Sequence, residues 1–342
     1  MKTIQPLIRT HLTKYPLMEL TDMVKLLYQN EFGPGHMISD ESESLKRLTE
    51  EWESLPRLSS SSLTEPIGNH LVRVHLAALN REELPLLNAM FCRTASQTQG
   101  NREQFMKRLN CLSLYFSHAD GFLADYKKRG CPPVGHSNHY RKAYQPAYRV
   151  ISESYASFLQ LIRTFAALLQ ERGTLTVAID GNCASGKTTL SRLLSMRFDC
   201  NIIPMDDFFL PPSLRTAKRL AEPGGNVHYE RFKDEIMQPL QNGSPISYLP
   251  FCCSRMDYGS RVTLPLKPFT VIEGSYCMRP EFRGLYDYSV FLSCSYEQQI
   301  NRIRSRNGKE MLKNFIEKWI PMENTYFNAF QVKENCNVTI QT

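Results

Sequence analysis

The chain has 342 residues and a formal net charge of +7, with 42% hydrophobic and 22% charged residues. These values are typical of a folded globular protein and exclude disordered and fibrous classes, and the length allows two domains. The charge suits small anionic ligands, but it is too small and too dispersed to favour a nucleic-acid partner.

Cysteine usage and the absence of targeting features predict a cytoplasmic protein. The ten cysteines are scattered and contain no C-x-x-C pair, which favours reduced thiols over a disulfide framework or a zinc ribbon. The first residues lack the apolar core of a signal peptide. No apolar run reaches the roughly 18 residues that a membrane span needs. We therefore expect no membrane partner, while a homo-oligomer is left open.

The first part of the chain is predicted to be a mainly α-helical domain. Apolar residues recur at three- and four-residue spacings in segments 17–28, 45–52, 82–93 and 102–116, as they do on one face of a helix. Segment 70–76 is predicted to be either a short strand or the start of another helix. A long amphipathic helix over 151–171 ends at Arg172-Gly173. We place the boundary near residue 172, which gives domains 1–172 and 173–342.

Segment 134–149 is dense in His, Tyr and Arg, which bind anions or stack on rings. Two interpretations remain open for it. In one, the segment folds over the C-terminal domain and completes an acceptor site. In the other, its tyrosines wedge the two domains together and its arginines are solvated.

The second half alternates β-rich apolar runs with helical stretches. The runs fall at 174–180, 201–205, 269–272, 288–294 and 336–340. Buried strands that alternate with helices indicate a parallel sheet covered on both faces. We predict an α/β fold of the three-layer P-loop NTPase type, whose ligands bind at the carboxyl ends of the strands.

A glycine loop after the first of these strands fits G-x-x-x-x-G-K-[ST], the phosphate-binding P-loop. In such a loop, backbone N–H groups and a helix N-terminus surround the phosphates. The lysine would reach the β- and γ-phosphates, and the Thr188 hydroxyl would ligate Mg²⁺. The sequence thus predicts ATP and Mg²⁺ as cofactors. The nucleotide-binding residues would be Gly181, Asn182, Cys183, Ala184, Ser185, Gly186, Lys187, Thr188 and Thr189.

Two acidic positions follow later strands. Asp206 and Asp207 come directly after the run 201–205, where a carboxylate can accept a proton from a substrate hydroxyl or hold Mg²⁺ through water. The alternative is an ordinary turn-forming Asp pair. Glu273, before Gly274, stands where a carboxylate that orients Mg²⁺ is expected, or it only caps a turn. We predict Asp206 as a catalytic residue and, with Thr188 and Glu273, as a metal ligand.

Arginines in segment 301–307 form a candidate lid over the phosphates. Arg302 and Arg306 lie four residues apart, on one face of a helix. They could close on a transferring phosphoryl group and neutralise its charge, although alternating arginines are more often a solvated face. We predict both to be catalytic, together with Lys187.

Residues 174–330 resemble the uridine kinase and phosphoribulokinase family of P-loop kinases. The resemblance rests on the P-loop, on Met205-Asp-Asp-Phe-Phe209, on Ile272-Glu-Gly274, on the lid from Arg302, and on Trp319-Ile-Pro-Met-Glu-Asn-Thr-Tyr-Phe327. It implies that Asp206 is the general base, that Glu273 assists at the metal, and that Arg302 and Arg306 contact the triphosphate.

The acceptor-binding segments depart from the family pattern. The chain has Gly224-Gly-Asn-Val-His-Tyr-Glu-Arg-Phe232 where uridine kinases carry Asp-His-Pro followed by Phe-Asp, and Arg306-Asn307 where the lid usually has Arg-Asp. Residues 248–258 match only loosely. The candidate substrate contacts are Asp207, His228, Tyr229, Arg231, Arg255 and Tyr258.

The sequence therefore favours transfer of the γ-phosphoryl group of Mg-ATP to a hydroxyl of a small-molecule acceptor. The resemblance implies a nucleoside such as uridine or cytidine. A sugar phosphate, glycerate or pantothenate-like alcohol remains an alternative. A nucleotide-dependent ATPase switch, whose helical half binds a partner protein, is the alternative outside the kinase class.

Overall fold

A computed structural model of the chain describes residues 4–38, 40–56 and 62–342. It divides into two compact units, Met1–Leu159 and Gln160–Thr342. The division falls within one long helix, Glu153–Arg172. No helix in the described part of the chain is both long and apolar enough to cross a membrane.

The N-terminal unit combines helices with a small antiparallel sheet. The sheet has the order β1-β2-β3, with strands Thr64–Gly68, Leu71–His75 and Tyr148–Ser152. The helices α1 to α7 are Gln5–Lys14, Leu20–Phe32, Glu41–Glu53, Leu84–Gln97, Arg102–Leu109, Ala119–Lys128 and Asn138–Tyr144. Helix α8, Glu153–Arg172, follows β3 directly.

The predicted helices of this unit are found with shifted ends, and segment 70–76 is a strand. Helix α2 begins at Leu20 rather than at Leu17, which is 59% exposed and lies outside it. The long helix predicted from Ile151 begins at Glu153, because Ile151 pairs with Val72 in the sheet. Strand β1 was not predicted, because Pro66 and Gly68 interrupt the strand pattern of its short sequence, Thr-Glu-Pro-Ile-Gly.

The C-terminal unit is built on a five-stranded parallel sheet. Its order is β12-β11-β4-β10-β5, and the strands are Leu175–Gly181 (β4), Cys200–Pro204 (β5), Phe269–Glu273 (β10), Tyr288–Ser293 (β11) and Val338–Gln341 (β12). These are the five runs predicted from the sequence. Every residue of β10 is buried, as expected for a central strand covered on both faces. The α/β fold is therefore confirmed.

Helices and two short antiparallel strand pairs, a hairpin and an outer pair that flanks it in the sequence, complete this unit. The helices are Lys187–Arg197 (α9), Ala217–Ala221 (α10), Tyr229–Phe232 (α11), Gln238–Asn242 (α12), Tyr296–Asn314 (α13) and Ile320–Phe330 (α14). The strands of these pairs are Ile246–Tyr248 (β6), Phe251–Cys252 (β7), Asp257–Tyr258 (β8) and Val262–Leu264 (β9). Helix α13 is interrupted at Gly308, whose φ is +79°.

Phe165 on α8 is fully buried, and its ring lies against Phe269 of β10 and Tyr288 of β11, with centroids 5.8 and 5.4 Å away. Replacing Phe165 with Ala is expected to lower the free energy of unfolding of this unit by about 3–5 kcal/mol, because it leaves a cavity. Thr164→Ala, at the exposed neighbouring position, should stay within about 0.5 kcal/mol of the parent. Urea titration followed by Trp319 fluorescence, in a Trp52→Phe background that removes the other tryptophan, would measure both. Equal effects of the two substitutions would contradict this packing role.

Candidate functional site

The P-loop lies between the end of β4 and the start of α9, and its two glycines are required for different reasons. Gly181 has a φ of +135°, and a Cβ there would stand 2.0 Å from the Leu292 carbonyl oxygen of β11. Gly186 has a φ of +95° and open space around it, so only its backbone conformation demands glycine. It immediately precedes Lys187, the first residue of α9. The loop therefore places backbone amides at a helix N-terminus, as an anion site requires.

Lys187 is held at the mouth of this loop. Its Nζ donates to the carbonyl oxygens of Gly181 at 2.7 Å and Asn182 at 2.9 Å, and to Ser275 Oγ at 3.2 Å. Ser275 follows β10, so the lysine connects the P-loop to the neighbouring strand. The contacts fix the ammonium group beside the loop, where phosphate oxygens would be bound.

The carboxylates predicted from separate parts of the sequence meet at the same edge of the sheet. In the parallel register, Glu273 pairs with Ile179 of β4 on one side and with Pro204 of β5 on the other. Gly181 follows Ile179 by two residues, and Asp206 follows Pro204 by two. The register therefore brings the P-loop, Glu273 and Asp206 together.

Glu273 contacts the residue predicted to share a metal with it. The Thr188 hydroxyl donates to Glu273 Oε1 at 3.2 Å. Burial raises the pKa of the Glu273 carboxyl, and the charges of Asp206 and Asp207 add to the rise, whereas Lys187 and the hydrogen bond from Thr188 oppose it. Two of the predicted metal ligands thus touch, and the third, Asp206, acts on Glu273 electrostatically.

Asp206 and Asp207 have different environments. The Asp206 side chain is exposed at the strand end, and within the described residues no group donates a hydrogen bond to it. The surrounding chain nevertheless removes enough water to raise the pKa of its carboxyl, while Lys187 and Arg306 oppose the rise. Asp207 Oδ2 instead accepts a hydrogen bond from the Tyr248 hydroxyl at 3.0 Å. Asp206 is therefore the carboxylate that is free to accept a proton.

Several of the predicted substrate residues gather around Phe208. The Tyr248 ring that holds Asp207 stacks on Phe208 at 5.2 Å. The Arg231 guanidinium lies 5.3 Å from the Phe208 ring and 4.8 Å from the Tyr258 ring. The backbone N–H of His228 donates to the Phe208 carbonyl at 2.7 Å. Together they form a region beside Asp206 and Asp207, which we call the Phe208 region.

Two further predicted substrate residues are placed differently, and Arg231 is already engaged. Tyr229 is 5% exposed and lies in the core, with the Arg279 guanidinium 4.2 Å from its ring. Arg255 is exposed in the turn between β7 and β8. Arg231 donates to Glu235 through Nε and Nη2, at 3.0 and 2.7 Å. A substrate contact by any of the three stays a prediction.

The predicted lid lies on α13, against the P-loop. Arg302 Nη1 donates to the Ala184 carbonyl at 3.2 Å and to Thr342 Oγ1 at 3.0 Å. Arg306 is close enough to Asp206 to influence its pKa. The helix breaks two residues later, at Gly308. Arg302 is thus fixed to the loop, whereas Arg306 donates through Nε to Asn307 Oδ1 at 2.7 Å and acts on Asp206 only electrostatically.

Sequence reasoning missed Glu323 of α14. Glu323 is 6% exposed, and its carboxylate accepts hydrogen bonds from the Cys183 backbone N–H at 2.9 Å and from Ser275 Oγ at 2.7 Å. It therefore connects the P-loop, the end of β10 and α14. The only available signal was its place in the segment 319–327 that carries the family resemblance, which gave it no role.

Asp180, just before the loop, was also not assigned a role. It is fully buried, and its carboxylate accepts hydrogen bonds from the backbone N–H groups of Gly181 and Met278 and from the Tyr326 hydroxyl, at 2.7, 3.0 and 2.9 Å. Burial raises the pKa of Asp180 to about 6, although these hydrogen bonds and Lys187 oppose the rise. Asp180 anchors the strand end from which the P-loop leaves.

The donor set fits a nucleoside triphosphate with Mg²⁺. Thr188, Glu273 and Asp206 offer the oxygen ligands that Mg²⁺ prefers, and Mg²⁺ typically takes only one or two carboxylates and completes its shell with phosphates and water. No group of three or more His, Cys, Asp or Glu suited to a metal occurs among the described residues. The Ser185 hydroxyl in the loop is buried and has no partner in the described part of the chain, so a polar donor is left for a ligand.

Comparisons with known proteins give similarity only to solved structures. No family model matches the chain, and no curated protein matches it. One similar structure is a possible uridine kinase from Bacillus stearothermophilus, with 20% identity and a TM-score of 0.43 over 54% of this chain and 97% of that one. Another, from Silicibacter sp. TM1040, is provisionally described as a fructose transport system kinase, with 20% identity and a TM-score of 0.43 over 53% and 98%. The fold assignment made here rests on the strand order and the P-loop.

Gly274 is expected to be essential for the position of Asp206. Its φ is +143°, and a Cβ there would lie 2.7 Å from the Cβ of Met205, the residue that precedes Asp206 in the chain. Gly274→Ala should therefore lower the free energy of unfolding by about 1–3 kcal/mol, from overpacking and backbone strain. Gly284→Ala is the matched control, because a Cβ at Gly284 meets nothing within 4 Å. Thermal unfolding of both variants would test this, and a Gly274→Ala protein as stable as the control would contradict it.

Proposed function

We propose that the C-terminal unit is a small-molecule kinase that transfers the γ-phosphoryl group of ATP to a hydroxyl group. The observation that carries this proposal is Asp206, a carboxylate that accepts no hydrogen bond from the described residues and lies in the field of Lys187 and Arg306. A free carboxylate beside the P-loop suits a group that accepts a proton during phosphoryl transfer. A kinase needs one to accept the proton of the acceptor hydroxyl.

The other residues take roles that follow from their contacts. Bound Mg-ATP would supply the phosphoryl group and the metal charge that organises it. Lys187 and the loop amides hold the phosphates, and Thr188 and Glu273, already in contact, hold the metal. The raised pKa of Asp206 makes it a stronger base than an ordinary aspartate.

The two lid arginines are assigned different tasks. Arg302 is bound to Ala184 and Thr342, so it orders the lid against the P-loop. Arg306 is the arginine that acts electrostatically on Asp206, so it neutralises charge that develops between the phosphoryl group and the acceptor.

The acceptor favoured here is a nucleoside such as uridine or cytidine, on the strength of the sequence resemblance. In the Phe208 region, the half-buried Tyr258 ring is the surface on which an acceptor ring could stack, because Phe208 and Tyr248 are buried in the core, 0% and 3% exposed. A sugar phosphate, glycerate or pantothenate-like alcohol is the alternative acceptor. An acceptor panel separates these cases.

Lys187→Ala and Asp206→Asn are expected to impair different steps of the reaction. Loss of the lysine should abolish nucleotide binding and transfer together, because the phosphates lose their cation. Asp206→Asn should retain nucleotide binding and lose about 10²–10⁴-fold in transfer, the usual contribution of a general base. Nucleotide affinity and phosphorylated product should be measured with Mg-ATP and a panel of nucleosides and small alcohols. Acceptor-independent ATP hydrolysis that survives Asp206→Asn would instead indicate the nucleotide-dependent switch.

The rate of phosphoryl transfer is expected to fall at low pH, and the midpoint of the fall should lie above the ordinary pKa of an aspartate. Asp206 acts as a base only when it is deprotonated, and its pKa is raised above the ordinary value of 3.8. As the pH falls through that raised pKa, kcat/KM should decline, and the midpoint of the decline should lie above 3.8. A pH profile between 4 and 8 with the preferred acceptor measures this. A profile that is flat down to pH 4 would contradict the role of Asp206.

A further inference from the structure

A cavity of about 320 Å³, partly open to solvent, lies in the N-terminal unit, among residues that have no part in the proposed phosphoryl transfer. Four tyrosines line it, namely Tyr15, Tyr140, Tyr144 and Tyr148. Glu65 and Arg73 of the small sheet also line it, and so does Ala143 of α7. We call it the tyrosine cavity. Its volume is at the lower end of the range of roughly 300–1,000 Å³ that small-molecule sites occupy.

A buried network of charged and polar groups adjoins the tyrosine cavity. Arg73 is fully buried, donates to Glu65 Oε2 at 3.3 Å and to Gln29 Oε1 at 3.0 Å, and lies 4.4 Å from the Tyr148 ring centroid. The Tyr148 hydroxyl contacts His136 Nε2 at 2.7 Å. Burying such charges costs free energy that an apolar core would not. Their arrangement therefore calls for an explanation other than stability.

The charges of this network are already matched, which limits what the cavity can bind. Glu65 accepts from Lys14, Tyr15 and Arg73, at 2.5, 2.6 and 3.3 Å. Burial opposes its ionisation, but Arg73, Lys14 and Tyr15 outweigh burial and lower the pKa of Glu65 to about 2. Among the described residues that line the cavity, no unpaired carboxylate is left to hold a cation. The Arg73 guanidinium, turned to Gln29 and Glu65 beside the Tyr148 ring, is not free to hold a phosphate.

What the tyrosine cavity offers a ligand is aromatic surface with hydroxyl groups at its edges. Tyr15, Tyr140 and Tyr144 form one cluster, with ring centroids 4.8–5.4 Å apart. Tyr140 is 2% exposed and its ring stacks on His136 at 4.4 Å, so the aromatic surface open to a ligand belongs to the half-buried Tyr15, Tyr144 and Tyr148. The hydroxyls of Tyr15 and Tyr148 are fixed by Glu65 and Gln29. Rings held in this way lose little conformational freedom when a ligand binds. The network thus preorganises a surface for a flat molecule.

We propose that the tyrosine cavity is a second ligand site, which binds an uncharged planar heterocycle with a hydrogen-bonding edge, of about the size of a nucleobase. Flat rings stack on tyrosine faces, and a few placed polar groups orient them. All residues that line the site belong to the N-terminal unit, and the proposal does not depend on the proposed kinase activity.

Binding of adenine, uracil and nicotinamide to the full-length protein tests the proposal, with choline and inorganic phosphate as charged probes. Ala143→Trp should fill the cavity, whereas Lys142→Trp adds the same side chain at the adjacent exposed position, which does not line it. We expect at least one of the three rings to bind in calorimetry or ligand-observed NMR, with affinity reduced by at least about tenfold in Ala143→Trp and unchanged in Lys142→Trp. Because Ala143 lines the tyrosine cavity and belongs to the N-terminal unit, a loss of ring binding in Ala143→Trp but not in Lys142→Trp separates this site from the acceptor site of the C-terminal unit.

A second variant keeps the test decisive if Ala143→Trp unfolds, as thermal melting would reveal. Tyr144→Leu removes one stacking ring, whose hydroxyl accepts the Leu17 N–H, and it should also weaken binding. The proposal is overturned if none of the three rings binds, or if a ring binds equally to the parent and to the cavity variants. It is also overturned if choline or phosphate binds there in place of the rings.

Discussion

The parallel register of β4, β10 and β5 is the constraint on which the candidate site depends. Because Glu273 pairs with Ile179 on one side and Pro204 on the other, the strands end level with one another. A slip of β5 by two residues would move Asp206 by about 6–7 Å, at about 3.3 Å per residue. The register is specified by buried runs on both faces of the sheet, so the geometry of the site follows from packing of the core.

Because the three strands end at the same level, the negative charges of Asp206, Asp207 and Glu273 act on one another. Burial raises the pKa of Asp206, Asp207 and Glu273, and mutual repulsion adds to the rise for Asp207 and Glu273. Lys187 and Arg306 offset part of this cost. Carboxylates that repel one another around a threonine hydroxyl favour a bound cation, since a divalent ion relieves the repulsion. The same repulsion that raises these pKa values would thus support metal binding, and a bound divalent ion would in turn lower them.

Each unit contains buried carboxylates that accept several hydrogen bonds. In both units these carboxylates fix the position of the backbone or of the rings around a cleft. In the C-terminal unit, Asp180 and Glu323 fasten the start of the P-loop and one of its amides. In the N-terminal unit, Asp22 accepts from the backbone N–H and hydroxyl of Ser137, at 2.9 and 2.7 Å, and lies 2.8 Å from His136. A buried carboxylate is costly unless fully bonded. Fully bonded, it positions its donors more rigidly than apolar packing can.

The sequence by itself determined the five strands of the parallel sheet, the P-loop and the carboxylates at strand ends. Each of these follows from local signals: continuous apolar runs, glycines at fixed spacing, and acidic residues directly after a strand. It did not determine strands β1 and β3, or the roles of Glu323 and Asp180. Glu323 is 140 residues from Cys183 along the chain, and no local pattern reports a contact of that kind. Only the tertiary structure decided that Tyr229 lies in the core, that Asp207 is bonded to Tyr248 and that Asp206 is free, because pairing and burial are set by how distant elements pack.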